Sequence, residues 1–287
     1  MSVERDILRK HGGFSLVEIA VVMIIISILI AVIAVPLATQ VEQQRTIETN
    51  KQLELIKEAL VGYALSNSRL PCPATDGVVY GTTNTNGREN PVGGGGAAGC
   101  AVKIGFLPAA TLGVSPVDSN GFALDAWGSA ANRIRYAVAD INIASPLPPN
   151  CPTAINHPLT TVNGMRTATM DCLSGPSGTP RVLITVCSST PTGGGPGAAT
   201  GCTASDILTG SAPFVVFSLG KNASNTPAAG SHEAHNNDGQ LNGAQDLFFV
   251  SHPPSPSSAA GGEFDHIVSW PSLNTLFARM VQAGKLP

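Results

Sequence analysis

Charge is scarce in this chain. Only 12% of its 287 residues are Asp, Glu, Lys or Arg, and only 5% are aromatic. The basic residues form no dense cluster, which excludes the Lys/Arg footprint that nucleic-acid binding requires. No G-x-S-x-G, no Walker A and no G-x-G-x-x-G in a strand-helix setting is present. Residues 193–197 (G-G-G-P-G) lack the following helix and lysine of a phosphate cradle. No serine sits in a motif that joins it to a histidine and an aspartate, so an enzyme is not expected. No C-x2-C pair exists, which argues against a cysteine-type zinc clamp. Internal repeats are absent, and no second domain boundary stands out.

What the chain does have is one long apolar run. Residues 19–35 are 17 in number, and Ser27 is the only polar one. A helix over residues 14–37 would be roughly 36 Å long, enough for a bilayer core of about 30 Å. A single carboxylate, Glu18, sits at the front edge of the run. A charge in lipid is costly, so it marks a functional position by default, and its partner should be sought.

The preceding residues supply a candidate. Residues 1–13 (MSVERDILRKHGG) carry Arg5, Arg9 and Lys10 against Glu4 and Asp6, and end in Gly12-Gly13. An ordinary secretory signal has a short apolar core followed by a small-residue cut. Here the apolar run is too long and the small residues precede it. Cleavage after Gly13 would free the α-amine of Phe14 as a positive charge four residues before Glu18.

The segment K-H-G-G-F-S-L-V-E-I resembles the class III leader and cleavage site of type IV prepilins and type II secretion pseudopilins. The resemblance implies that a prepilin peptidase cuts between Gly13 and Phe14 and N-methylates Phe14. It implies that Glu18 pairs with a neighbouring subunit's N-terminus during filament assembly. The implied partners are other pilins or pseudopilins, the prepilin peptidase, an inner-membrane assembly platform and membrane lipid, with no nucleic acid. The tail over residues 264–287 resembles the end of a group of large pilin-like proteins.

The expected organisation is a leader over 1–13, a transmembrane helix over 14–37, its periplasmic continuation over 38–68 and an α+β head over 69–287. Pro36 is expected to kink the helix. Leu53, Ile56, Leu60 and Tyr63 form a helical stripe that packs on the head, and residues 70–73 (L-P-C-P) end the helix. The fold class is α+β: a long N-terminal helix on an antiparallel sheet with disulfide-closed loops.

Glycine (31) and proline (22) are plentiful and signal many turns. Strand candidates are 133–138, 181–186, 214–219, 247–251 and 264–270. The stretches 188–213, 221–245 and 253–263 read as loops. Residues 271–283 suit a terminal helix with Leu273, Leu276, Phe277 and Met280 on one face and Gly284 as its cap. Residues 125–128 (D-A-W-G) before a strand resemble a pseudopilin turn with 129–131 inserted, and Trp127 is expected as a buried turn aromatic.

All six cysteines follow the apolar run, and an even count fits an oxidising compartment. Basic residues before the run and none directly after it put the N-terminus in the cytoplasm. The head would then be periplasmic, on a single-pass inner-membrane protein that later joins a pilus or pseudopilus. Six cysteines allow 15 pairings. The sequential set is preferred: Cys72–Cys100, Cys151–Cys172 and Cys187–Cys202, each closing a Gly/Pro-rich loop. The alternative is that some are free.

The densest group of ligand types is 232–239 (H-E-A-H-N-N-D-G). Its histidines are three apart, so it is not H-E-x-x-H. Asn236, Asp238 and Asp246 could give oxygens to Ca²⁺, which takes six to eight. A solvated loop with no cofactor is the competing reading. The sequence totals give 16 Lys/Arg and 19 Asp/Glu, and residues 1–13 take three and two of these, leaving the remainder at −4. The large, loop-rich head favours a minor pilin or pseudopilin. A tip adhesin or substrate-sensing pilin, and an anchored protein that never polymerises, are the alternatives.

Overall fold

The computed structural model describes residues 15–76, 87–92, 99–143, 151, 155–168, 172–173, 183–189, 202–237 and 247–286. The chain divides into two units, Met1–Arg45 and Thr46–Pro287, and helix α1 (Leu16–Asn67) contributes to both. The helix is 52 residues long and continuous through Pro36.

In the first unit the described large apolar side chains of α1 face outward. Their exposure runs from 44% at Ile26 to 87% at Leu16. Ser27 is satisfied within the helix, donating its hydroxyl to Met23 O at 2.7 Å. Among the described residues no helix is long and apolar enough to cross a membrane.

The second unit is built around the rest of α1. Leu53, Ile56, Leu60, Val61 and Ala64 join one buried cluster with residues of the strands. The stripe works because 3-4-3 spacing stacks side chains on one helix face. Tyr63, its fourth member, is half-buried. Its hydroxyl donates to Glu89 at 3.0 Å. Arg69 grips the same carboxylate with two bonds of 2.7 Å, and Cys72 N donates to it at 3.2 Å. This ion pair ties the end of α1 to the loop closed by Cys72–Cys100.

Strands β1 (Ile104–Phe106), β2 (Arg135–Val138), β7 (Phe214–Ser218) and β9 (Ile267–Ser269) form an antiparallel sheet in the order β1-β2-β7-β9. Register places Phe106, Arg135 and Phe217 side by side on one face. Tyr136, Val138, Phe214 and Val216 occupy the other. Tyr136 is fully buried, and its hydroxyl donates to Pro71 O at 3.0 Å.

The remaining strands depart from expectation. Strands β5 (Ile184–Cys187), β6 (Ile207–Ala212) and β8 (Phe248–Val250) form a separate sheet in the order β6-β5-β8. Its β5–β8 pair is parallel, so the head is not wholly antiparallel. The chain makes β6 and β7 and a further helix before β8 returns beside β5, which reverses the direction that a hairpin would give. Strand β6 also lies inside the stretch read as a loop over 188–213. Its outward positions and Gly210 leave no alternation to read, and it exists because β5 offers a partner edge. A short helix, α4 (His232–Asn237), likewise interrupts the expected loop over 221–245.

Small elements complete the head. They are α2 (Ala109–Leu112), β3 (Asn142–Ile143) paired with β4 (Ile155–Asn156), and α3 (Gly164–Thr167). The terminal helix α5 (Leu273–Gln282) buries Leu273, Leu276, Phe277 and Met280. Ser272 caps it by accepting Thr275 N at 3.1 Å, and Gly284 follows at φ 66°.

Cysteine pairing is sequential. Cys72–Cys100, Cys151–Cys172 and Cys187–Cys202 have Cα–Cα distances of 5.3, 5.0 and 6.2 Å, and no cysteine is free. A crosslink of this kind stabilises by about 2–4 kcal/mol, and the loop closed by Cys151–Cys172 also sends Leu159 and Met165 into the core.

Candidate functional site

Two places combine exposed or buried charge with a defined geometry: the start of α1, and a carboxylate-imidazole cluster in the head.

Gly13 and Phe14 lie outside the described residues. From Ser15 onward the start of the helix is clear. Ser15 O accepts Glu18 N at 2.9 Å and Ile19 N at 3.1 Å, and Ser15 Oγ accepts Val17 N at 3.3 Å. Ser15 is therefore the N-cap, and Ser15-Leu16-Val17-Glu18 has the spacing of a capping box. That S-x-x-E signal is visible in the sequence and gives Glu18 a local reason to be where it is. A carboxylate in the first turn also suits the positive end of the helix dipole. Glu18 is exposed, and among the described residues no ion pair reaches it. Its charge is thus presented outward beside a row of exposed apolar side chains.

The turn over 125–128 is structural. Asp125 is buried and accepts Trp127 N at 2.9 Å, Asn132 Nδ2 at 3.1 Å and Ser218 Oγ at 2.5 Å. Burial raises the Asp125 carboxyl above its usual range, against the pull of these donors. Gly128 adopts φ 74°, which a side chain would strain. Trp127 is half-buried rather than buried, and its indole nitrogen has no hydrogen-bond partner among the described residues. The ring therefore fills space without being anchored. Asp125→Ala is expected to cost about 2–3 kcal/mol, because it strands three donors in the interior. Trp127→Phe is expected to be neutral within about 0.5 kcal/mol by thermal melt, apart from lost area.

Of the three expected calcium ligands, only Asn236 lies among the described residues. Asp238 and Asp246 lie outside the described residues. Asn236 is fully buried, and its amide is spent on strand β8. It donates to Val250 O at 2.8 Å and accepts Val250 N at 2.7 Å. Its nitrogen also lies 3.3 Å from His266 Nδ1. His232 turns the other way: its Nδ1 lies 2.6 Å from His252 Nε2, and His252 stacks on Phe264 at 4.1 Å.

A different group assembles beside it. Glu233, Asp265 and His266 offer ligand atoms all within 4.8 Å of one another. Glu233 accepts Asp265 N at 3.0 Å and bonds of 3.2 and 3.1 Å from Asn222 Nδ2. Asn222 N donates to Asp265 Oδ2 at 3.1 Å. Burial raises the Asp265 carboxyl to about 7, with the Glu233 carboxylate adding to the push and the Asn222 N–H opposing it. Burial lowers His266 to about 3, so its imidazole is neutral. Sequence reading singled out Glu233's neighbours and missed Asp265-His266, which lie 32 residues further along in a tail read as strand. The adjacent carboxylate and imidazole of F-D-H-I were the available signal.

Comparison with known families is informative at one end only. Residues 8–34 match the family model described as the prokaryotic N-terminal methylation motif. The chain therefore carries the class III prepilin motif of type IV pilins and pseudopilins, the motif of a pilin-type precursor. No curated protein and no solved structure matches the chain.

Proposed function

We propose that this chain is a structural subunit, a minor pilin or pseudopilin, of a type IV pilus or type II secretion filament. The observation that carries this reading is the methylation motif over residues 8–34, which takes in the exposed apolar start of α1. The prepilin peptidase cuts after Gly13 and methylates the new Phe14 amine. Before assembly the apolar run over 19–35 anchors the chain in the inner membrane, with the leader cytoplasmic and the head periplasmic. The three disulfides support an oxidising location for the head.

Assembly transfers the apolar helix face from lipid to the faces of neighbouring helices. Bilayer and filament core are both apolar, so this exchange carries little hydrophobic driving force by itself. Polar recognition must set the register, and Glu18 is the group placed to do it by meeting a neighbour's α-ammonium. A loop-rich head of this size favours a minor subunit over the main repeating one.

Mass analysis of the mature N-terminus tests the reading. The expected product begins at N-methylated Phe14. A functional protein that still begins at Met1 would overturn it.

A further inference from the structure

The Glu233–Asp265–His266 cluster is independent of the filament reading and has its own chemistry. Glu233 is 4% exposed and His266 6% exposed. Two carboxylates within 4.8 Å of each other inside a protein repel unless a proton or a cation lies between them, and the neutral imidazole beside them offers a further ligand atom. One oxygen is conspicuous. Asp265 Oδ1 is fully buried and has no hydrogen-bond partner among the described residues. Orphaned buried oxygens are rare and call for a ligand or a proton.

The surroundings hold these groups in place. Gly220, just after β7, adopts φ +68°, and a Cβ there would lie 2.3 Å from Asp265 Oδ1. Glycine thus keeps clear the space beside the orphaned oxygen. Glu233 is fixed from α4 by Asn222 and by Asp265 N. Asn236, itself fixed on Val250, steadies the His266 ring. Such outer contacts are what orients ligands at metal centres.

We propose that Glu233, Asp265 and His266 form a binding site for a divalent transition cation of the zinc or manganese class. An imidazole among the donors disfavours calcium, which takes six to eight oxygens. Three protein ligands leave room for water to complete the shell. The cation would join α4, the turn after β7 and the lead-in to β9, three segments far apart in the chain.

The test uses the full chain, solubilised in detergent and stripped with chelator. It is dialysed against ZnCl₂, MnCl₂ or CaCl₂, and bound metal is measured by elemental analysis alongside thermal melts. The expected result is one equivalent of zinc or manganese and a midpoint raised by about 5 °C or more at a hundredfold excess over Kd. Asp265→Asn should weaken binding at least tenfold, and so should His266→Gln. Asp265→Asn carries the test if His266→Gln fails to fold, because asparagine keeps the shape and an oxygen to accept the Asn222 N–H. His252→Ala should bind as the parent does. No bound metal, binding of calcium alone, or undiminished binding by Asp265→Asn would each overturn the proposal. The first of these outcomes would assign the cluster to a proton shared by the two carboxyls.

Discussion

Replacing Glu18 with alanine is expected to leave membrane insertion intact while cutting incorporation into filaments at least tenfold. A tenfold loss corresponds to about 1.4 kcal/mol, a modest demand on an ion pair in an apolar setting. The effect cannot come from melting the helix. A first-turn carboxylate contributes about 0.3–1 kcal/mol to its own helix. Helix α1 continues for 52 residues and is packed from Thr49 onward.

Glu18→Gln separates the two roles that the start of α1 allows. Glutamine serves in a capping box as glutamate does, but it carries no charge. Should capping be the function, Gln restores assembly. The ion-pair reading expects Gln to fail like Ala. The measurement is the ratio of filament-borne to membrane-borne subunit in sheared fractions.

The largest expected loss of head stability comes from Glu89→Ala, about 3–5 kcal/mol by thermal or urea unfolding. Glu89 accepts two bonds from Arg69, one from Tyr63 and one from Cys72 N. The Arg69 and Glu89 side chains are 12% and 17% exposed, so water cannot easily replace the lost carboxylate. The variant would leave a poorly solvated guanidinium and an orphaned hydroxyl at the end of α1.

The pH dependence of the parent follows from the same site. Burial pushes the Glu89 carboxyl up, but Arg69, Cys72 N and Tyr63 outweigh burial and hold it below its usual 4.5. A depressed carboxyl stabilises above its unfolded value and loses that contribution as pH falls through its folded value. The parent should therefore lose this stabilisation in acid below about pH 4.5. Glu89→Ala should be less stable near neutrality and lack that portion of the acid loss. An equal acid slope in both proteins would count against the assignment.

The chain's local signals were readable because each lies within a few residues. Leu53, Ile56 and Leu60 recur at the helical period, and all three are buried. Ser272 and Gly284 bracket the terminal helix, with its four apolar residues on the inner face. Ser15, which caps α1 by accepting Val17 N, lies within four residues of Glu18. Strand β7 was legible as an unbroken apolar run, F-V-V-F-S. Strand β6 was not, because I-L-T-G-S-A faces outward and gains its order from β5 alone. The metal-type cluster was missed for the same reason. Glu233 and Asp265-His266 lie on different elements, and nothing in either segment names the other.

By itself the sequence determined the methylation motif, the apolar run with its lone acid and the preference for sequential disulfides, all carried by short-range pattern. Tertiary structure alone decided that β8 runs parallel to β5, that Asn236 turns inward to Val250 and that Glu233 meets Asp265 and His266. Those outcomes depend on how long connections close. Many closures cost nearly the same entropy, so the winner is set by packing between distant segments.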